Sequence, residues 1–359
     1  MSHIFEIAQL FFKLGCFAFG GPVAHIAMME DECVQKRKWM SHEEFLDLIG
    51  VTNLIPGPNS TEMAMHVGYL RGGMLGLIVA GVCFITPAAV LTGILTYLYI
   101  TFNYLPEFDA VFYGIRAGIL VIILQAVLKL GKKAVTTRLL GVIGIASMGL
   151  SLYGMNEVLA LLMSGLVGTV WLYGNKKFFK SNTLKVASLP LFLVFLKVGS
   201  ILFGSGYVLI AYLQGELIDS LGWLTQQQLL DAIAIGQMTP GPILTTATCV
   251  GFQLAGVAGA VYATLGMFLP SFVFVMITSP FIKKIRKSNI LGCFLDAINV
   301  AAVGIMVSVL FQLTRISVVD VKTTLIAVVM MVYVFCFKKP NILLIIPVSG
   351  LLGYLFSLV

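Results

Sequence analysis

Asn53-Leu54-Ile55-Pro56-Gly57-Pro58 is the stretch on which the fold of this chain turns. It lies between two apolar, helix-compatible runs, 43–52 and 60–70. Pro-Gly-Pro cannot continue a regular helix, because each proline lacks an N–H and clashes with the preceding turn, and the glycine adds backbone freedom. The stretch therefore separates two helical halves. The same break returns as Met238-Thr239-Pro240-Gly241-Pro242. A broken apolar segment that occurs twice in corresponding places is a sequence pointer to a transport site.

The flanking composition agrees. The chain has 359 residues, 59% of them hydrophobic and only 11% charged. A soluble protein carries about 25% charged residues. Apolar stretches of the roughly 20 residues needed to cross a bilayer recur throughout. They are too long and too continuous for barrel strands. The reading is an all-α integral membrane protein. The apolar start, from Ile4 to Phe19, carries Lys13 and lacks a basic leader and a cleavage site, so it reads as part of the mature first helix. The six cysteines are scattered without metal-ligand spacing and read as buried thiols. The net charge of +7 is loop charge that orients the protein, not a nucleic-acid surface.

The break is one point in a longer repeat. Adding 184 to the first-half numbering places Lys13 on Lys197, Gly15 on Gly199, Phe19-Gly20 on Phe203-Gly204, Glu32 on Glu216, Trp39 on Trp223 and Asp47 on Asp231. After one deleted residue the offset is 183, and Gly68, Gly73, Gly76 and Pro87 meet Gly251, Gly256, Gly259 and Pro270. Two copies of one unit are expected, about 1–180 and 188–359. In each, a segment interrupted at a glycine turn (Phe19-Gly20-Gly21-Pro22; Phe203-Gly204-Ser205-Gly206) precedes the Pro-Gly-Pro segment, and four apolar spans follow.

Lys and Arg mark the cytoplasmic side. Lys36-Arg37-Lys38, loop 129–138, the central linker and loop 281–289 are basic, whereas loops 101–107 and 217–222 have no Lys or Arg. The bias inverts between the halves. The expectation is two inverted-topology repeats, each with five membrane crossings plus a re-entrant broken segment. The glycine-interrupted segment would cross, both termini would lie outside and the linker would be cytoplasmic.

Irregular backbone at membrane depth is tolerated only inside protein or beside a wet cavity. Each break also opens a half-helix, at Val23, Asn59, Tyr207 and Ile243, whose N–H groups and dipole attract anions. The candidate substrate-binding residues are therefore Lys13, Gly20, Gly21, Pro56, Gly57, Pro58, Asn59, Lys197, Gly204, Ser205, Pro240, Gly241 and Pro242. A lysine at the bilayer centre costs roughly 2.5–3.5 kcal/mol on insertion scales. Lys13 and Lys197 are accordingly expected to face one central anion path from opposite halves, with snorkelling to an interface as the structural alternative. Asp47 and Asp231 are candidate coupling residues or simple helix-end charges. Arg116, whose match is Asn299, is a further candidate anion contact, and Arg71 reads as an orientation charge. His25 and His66 lack counterparts and read as structural. No phosphate-cradling loop or catalytic triad spacing is present, so the chain reads as neither an ATP-driven pump nor an enzyme, with no cofactor or metal.

At these residues the sequence resembles the chromate transporter (CHR) family in its long, two-domain form. The resemblance rests on Phe12-Lys13-Leu14-Gly15, Phe19-Gly20-Gly21-Pro22, Trp39, Pro56-Gly57-Pro58, Gly68-Tyr69 and the glycine-rich span ending at Pro87, and on the second-half repeats of these. Gly204-Ser205-Gly206 departs from the first-half turn. The resemblance implies export of chromate across the bacterial cytoplasmic membrane, with sulfate as a related ligand. Turns that offer donors and no carboxylate suit such a dianion better than hydrogen phosphate, whose hydroxyl needs an acceptor. A proton- or cation-coupled carrier of another small anion, using Asp47 and Asp231, is the alternative, and a membrane scaffold without transport is a third. A homodimer is an assembly that the sequence leaves open.

Overall fold

The computed structural model describes residues 2–18, 21–52, 55–102, 105–153, 155, 160–161, 163–165, 167, 189–203, 206–281, 289–337, 340 and 344–358. Every regular element among them is helical. The first half holds α1 (Ser2–Phe17), α2 (Gly21–Glu30), α3 (His42–Thr52), α4 (Asn59–Phe102), α5 (Pro106–Ala134) and α6 (Arg138–Leu152). The second holds α7 (Leu189–Ile201), α8 (Leu209–Leu213), α9 (Gln226–Met238), α10 (Thr246–Thr278), α11 (Asn289–Ser317), α12 (Val321–Cys336) and α13 (Ile345–Ser357). Four described helical segments are long and apolar enough to span a bilayer: Asn59–Phe102, Phe108–Lys132, Ile243–Thr278 and Asp296–Ser317.

The longest helix is in fact a hairpin. Gly72 and Gly73 leave helical geometry, and Gly73 has φ +61°. Gly68 then packs against the backbone of Gly76 with no room for a Cβ on either. In a straight helix residues eight apart stand about 12 Å apart along the axis, so the chain must reverse here. α10 does the same at Ala255 and Gly256 (φ +60°), with Gly251 against Gly259. Glycine is needed at the turns for the positive φ and at the contact for close approach. Each long helix thus has a short arm that begins at the Pro-Gly-Pro break and a long arm that can cross the membrane.

The glycine-interrupted segment also folds back, which corrects the expectation that it crosses. Arg71 bonds Glu6 near the start of α1 at 3.0 Å and lies 5.3 Å from the ring of Trp39, beyond the end of α2. Residues 6 and 39 would be about 50 Å apart along a straight helix. The start of α1 therefore shares a side with the basic Lys36-Arg37-Lys38 run. The passage between the halves runs mostly through residues outside those described.

α1 lies along the long arm of α4, with Gly15 against the carbonyls of Cys83 and Phe84 and the ring of Pro87. Pro87 has no N–H for the Cys83 carbonyl four residues back, and a Cβ on Gly15 would stand 3.1 Å from that carbonyl and 2.7 Å from that of Phe84. Gly199 repeats the contact on Met267. Gly114 and Gly118, the small pair expected to admit a neighbour, pack on Ser349 and Gly353 of α13. The long arms of α4 and α10 cross antiparallel: Gly81 meets Phe272, while Ala89 lies across a groove from Thr264 and Leu265.

Candidate functional site

The two breaks meet the two glycine-interrupted segments at the centre of the fold. The Gly57 N–H donates to the Leu202 carbonyl at 2.7 Å, and the Gly241 N–H donates to the Ala18 carbonyl at 2.8 Å. Gly57 and Gly241 correspond in the repeat, and so do Ala18 and Leu202. Each break is therefore tied to the end of the first helix of the other half. Pro56, Pro58, Pro240 and Pro242 have no N–H to give. Inside each break the glycine N–H is thus occupied by protein, and these residues shape the break more than they offer donors. Further into the half-helices the Thr61 and Glu62 N–H groups donate to the Pro58 carbonyl, and that of Thr245 to the Pro242 carbonyl. Asn59, half-buried, opens the short arm of α4. Gly21 begins α2. Gly20, Gly204 and Ser205 lie outside the described residues.

The lysines are not free cations. Lys13 Nζ lies 3.4 Å from Glu32, and Lys197 Nζ lies 2.7 and 2.9 Å from the two oxygens of Glu216. Both lysine side chains are about half exposed, at 58% and 46%, whereas both glutamates stand at 13%. The fold-back of each glycine-interrupted segment sets Lys and Glu, 19 positions apart, side by side. In a straight helix residues 19 apart would stand about 28 Å apart, so spacing alone does not announce the pair.

The aspartates differ from each other. Asp231 on α9 is buried and receives Arg116 Nε at 2.7 Å, a second guanidinium nitrogen at 2.8 Å and the Tyr99 hydroxyl at 2.6 Å. Such a bidentate pair fixes the carboxylate and the guanidinium in one geometry. The guanidinium also reaches Asp109 at 3.5 Å. Arg116 is thus engaged with carboxylates. The equivalents of Tyr99 and Arg116 are Ile282 and Asn299, so no such cage is encoded around Asp47, which is half-buried. This cage joins the first half to the second.

The residue that sequence reading missed is Glu62. It follows the first break by four positions and is completely buried. Neither carboxyl oxygen has a hydrogen-bond partner, and Ser271 Oγ and Thr61 Oγ1 beside it are also unpartnered. A Cβ on Gly57, whose φ is +142°, would strike both Glu62 Oε1 and Ser271 Oγ. Glu62 and Ser271 therefore converge on the break itself, and the expectation of turns without a carboxylate is corrected. One helical turn on, His66 Nδ1 meets Ser279 Oγ at 3.0 Å and its Nε2 has no partner. The second break carries no ionisable group at the matching place: Thr246 stands for Glu62 and Ala88 for Ser271, and Gly241 packs on Ala88. The available signal was an acidic residue inside an apolar run, which is a functional-site hypothesis by default. His25 Nε2 meets the Ala18 carbonyl at 3.0 Å and so supports the crossing point. Among the described residues no three His, Cys, Asp or Glu side chains gather as a metal site.

Long apolar helices, two broken segments tied together at the core, and buried polar groups beside one of the breaks define a helical membrane transporter. The chain belongs to the chromate transporter family: the family's model matches residues 5–169 and again 189–354. It is 31% identical to a probable chromate transport protein of Synechococcus elongatus, over 98% of this chain and 95% of that one. It is 30% identical to the chromate transport protein of Cupriavidus metallidurans, over 97% and 92%, and 30% identical to that of Pseudomonas aeruginosa, over 98% and 92%. No solved structure matches it.

Proposed function

We propose that the protein is a secondary transporter that exports chromate, and sulfate-like tetrahedral oxyanions with it, across the bacterial cytoplasmic membrane. Two units, 1–180 and 188–359, stand in inverted orientation, and the anion passes between the two breaks. The observation that carries this reading is the reciprocal pair of bonds from Gly57 to Leu202 and from Gly241 to Ala18. It is the reciprocal pattern expected of two copies related by a two-fold axis. The antiparallel crossing of the long arms supports an axis in the membrane plane, as in inverted repeats. The basic 36–38 run, Arg71 and loop 129–138 then face the cytoplasm.

The membrane potential favours the outward direction. One charge moved through 100 mV is worth roughly 2.3 kcal/mol, so a dianion gains about twice that on leaving a negative interior. The half-helix ends at Asn59 and Ile243 supply the positive end of a dipole to the anion. Lys13 and Lys197 contribute as partners of Glu32 and Glu216, ready to be recruited if either hairpin shifts. The bonded state of Asp231 favours a structural role for it over coupling. The test is radiolabelled chromate flux in proteoliposomes, with and without an imposed potential and with sulfate as competitor. Flux should accelerate when the compartment holding chromate is negative. Absence of chromate flux under either condition overturns the proposal.

A further inference from the structure

We infer that Glu62 is the proton-carrying group of the anion site: a tetrahedral dianion enters the first break together with one proton, held on the Glu62 carboxyl and oriented by Ser271. The inference rests on the proposed oxyanion function and gives its site a chemistry and a coupling ion. Glu62 is fully buried and its two oxygens lack partners, as does Ser271 Oγ. An unpaired buried polar group is expensive, and an uncompensated buried charge more so. A carboxylate beside a dianion would add like-charge repulsion in a low-dielectric place. A carboxylic acid there removes the repulsion and gives one O–H donor. The donor points at the break that the glycine and prolines leave short of free N–H groups. When the anion leaves, the carboxyl can release its proton with it, so one proton and one dianion travel together and a net single negative charge moves.

Among the described residues, the cations on the helices packed against α4 are engaged elsewhere. α10, which brings Ser271 and Ser279, has no charged side chain. On α1, Glu6 is paired with Arg71 and Lys13 with Glu32. On α2, His25 is bonded to Ala18 and Glu30 to His42. On α9, Asp231 is held by Arg116. α3 adds acids only, Glu43, Glu44 and Asp47, beside His42 at its start. On α4 itself the nearest titratable group is His66, on the same helix face one turn on. The replacement of Glu62 and Ser271 by Thr246 and Ala88 at the other break makes the coupling one-sided, with one proton per transport cycle rather than two.

The experiment is calorimetric titration of the purified, full-length protein with chromate, over a range of pH in which chromate is the free dianion. It is run in two buffers of different ionisation heat, so that proton uptake is read per anion bound. As the pH rises the parent should pass from no uptake, where the buried carboxyl already holds its proton, to one proton per chromate, where the free carboxyl is ionised. Glu62→Asp should keep this transition, and Glu62→Gln should bind with no uptake at any pH. Binding by the parent without such a transition overturns the inference, as does an unchanged transition in Glu62→Gln. If Glu62→Gln does not fold or bind, Ser271→Ala decides: the pH at which uptake is half complete should move, and an unmoved midpoint overturns the inference. Failure of the parent to bind chromate at all would instead sink the oxyanion function on which the inference rests.

Discussion

The Gly57 N–H reaches across the molecule to the Leu202 carbonyl, 2.7 Å away, at the end of the first helix of the other half. The bond occupies a donor that would otherwise be bare in the membrane interior, where each unsatisfied backbone group costs several kcal/mol. It also couples the two halves at the one place where neither can be a helix.

Gly57 should tolerate no side chain. Gly57→Ala meets a backbone φ of +142° and strikes Glu62 and Ser271. The backbone alone costs about 1–3 kcal/mol. Thermal denaturation in detergent should show a clear drop, and chromate flux should be lost. Gly50→Ala is the control: nothing lies within 4 Å of its added methyl, and alanine in a helix gains about 0.5–1 kcal/mol over glycine. Equal melting points for the two variants would contradict this account.

The Arg116–Asp231 pair should matter as a pair. Arg116→Gln leaves a buried carboxylate with Tyr99 as its remaining side-chain partner among the described residues, and breaking a buried ion pair costs about 3–5 kcal/mol. Membrane yield and melting temperature should fall. The double variant Arg116→Gln, Asp231→Asn removes both charges and should recover most of the loss. If the double variant is no better than the single one, the pair is not the cause.

The two lysines should be unequal. Glu32 keeps Lys36 at 3.3 Å and Arg37 at 3.4 Å when Lys13 is neutralised. For Glu216, Lys197 is the one ion-pair partner among the described residues. Lys197→Gln should therefore destabilise by about 1–3 kcal/mol, between an exposed and a buried pair, and Lys13→Gln by less. Adding Glu216→Gln to Lys197→Gln should restore stability. Melting curves of the four proteins check this.

The fold-back of the first segment sets a labelling pattern. In a cysteine-free background, His3→Cys and Lys132→Cys should both be shielded from an impermeant thiol reagent applied to intact cells. Asp219→Cys should react. The straight-segment topology expects His3→Cys to react with Asp219→Cys, so one labelling experiment separates the two.

Much of this was readable in advance. Helical membrane class follows from composition, and the breaks follow from proline chemistry at 56–58 and 240–242. The repeat register pairs residues that make matching contacts, such as Gly68–Gly76 and Gly251–Gly259. The partners of the charged residues were not readable. Lys13 meets Glu32 because a hairpin closes between them, and Asp231 meets Arg116 across the two halves. Glu62 was readable as an acid in an apolar run, but only the approach of Ser271 and Gly57 makes its isolation visible.

The sequence by itself determined where the chain cannot be helical, which stretches are apolar enough for a membrane, and that one pattern occurs twice. These are local properties, set by missing N–H groups, side-chain transfer free energies and residue spacing. Only the tertiary structure decided which breaks touch, which charges are neutralised and that the first segment returns to the side on which it began. Those depend on long-range geometry: Gly57 and Leu202 are brought within 2.7 Å by the packing of helices from both halves, and no local rule of the chain encodes that distance.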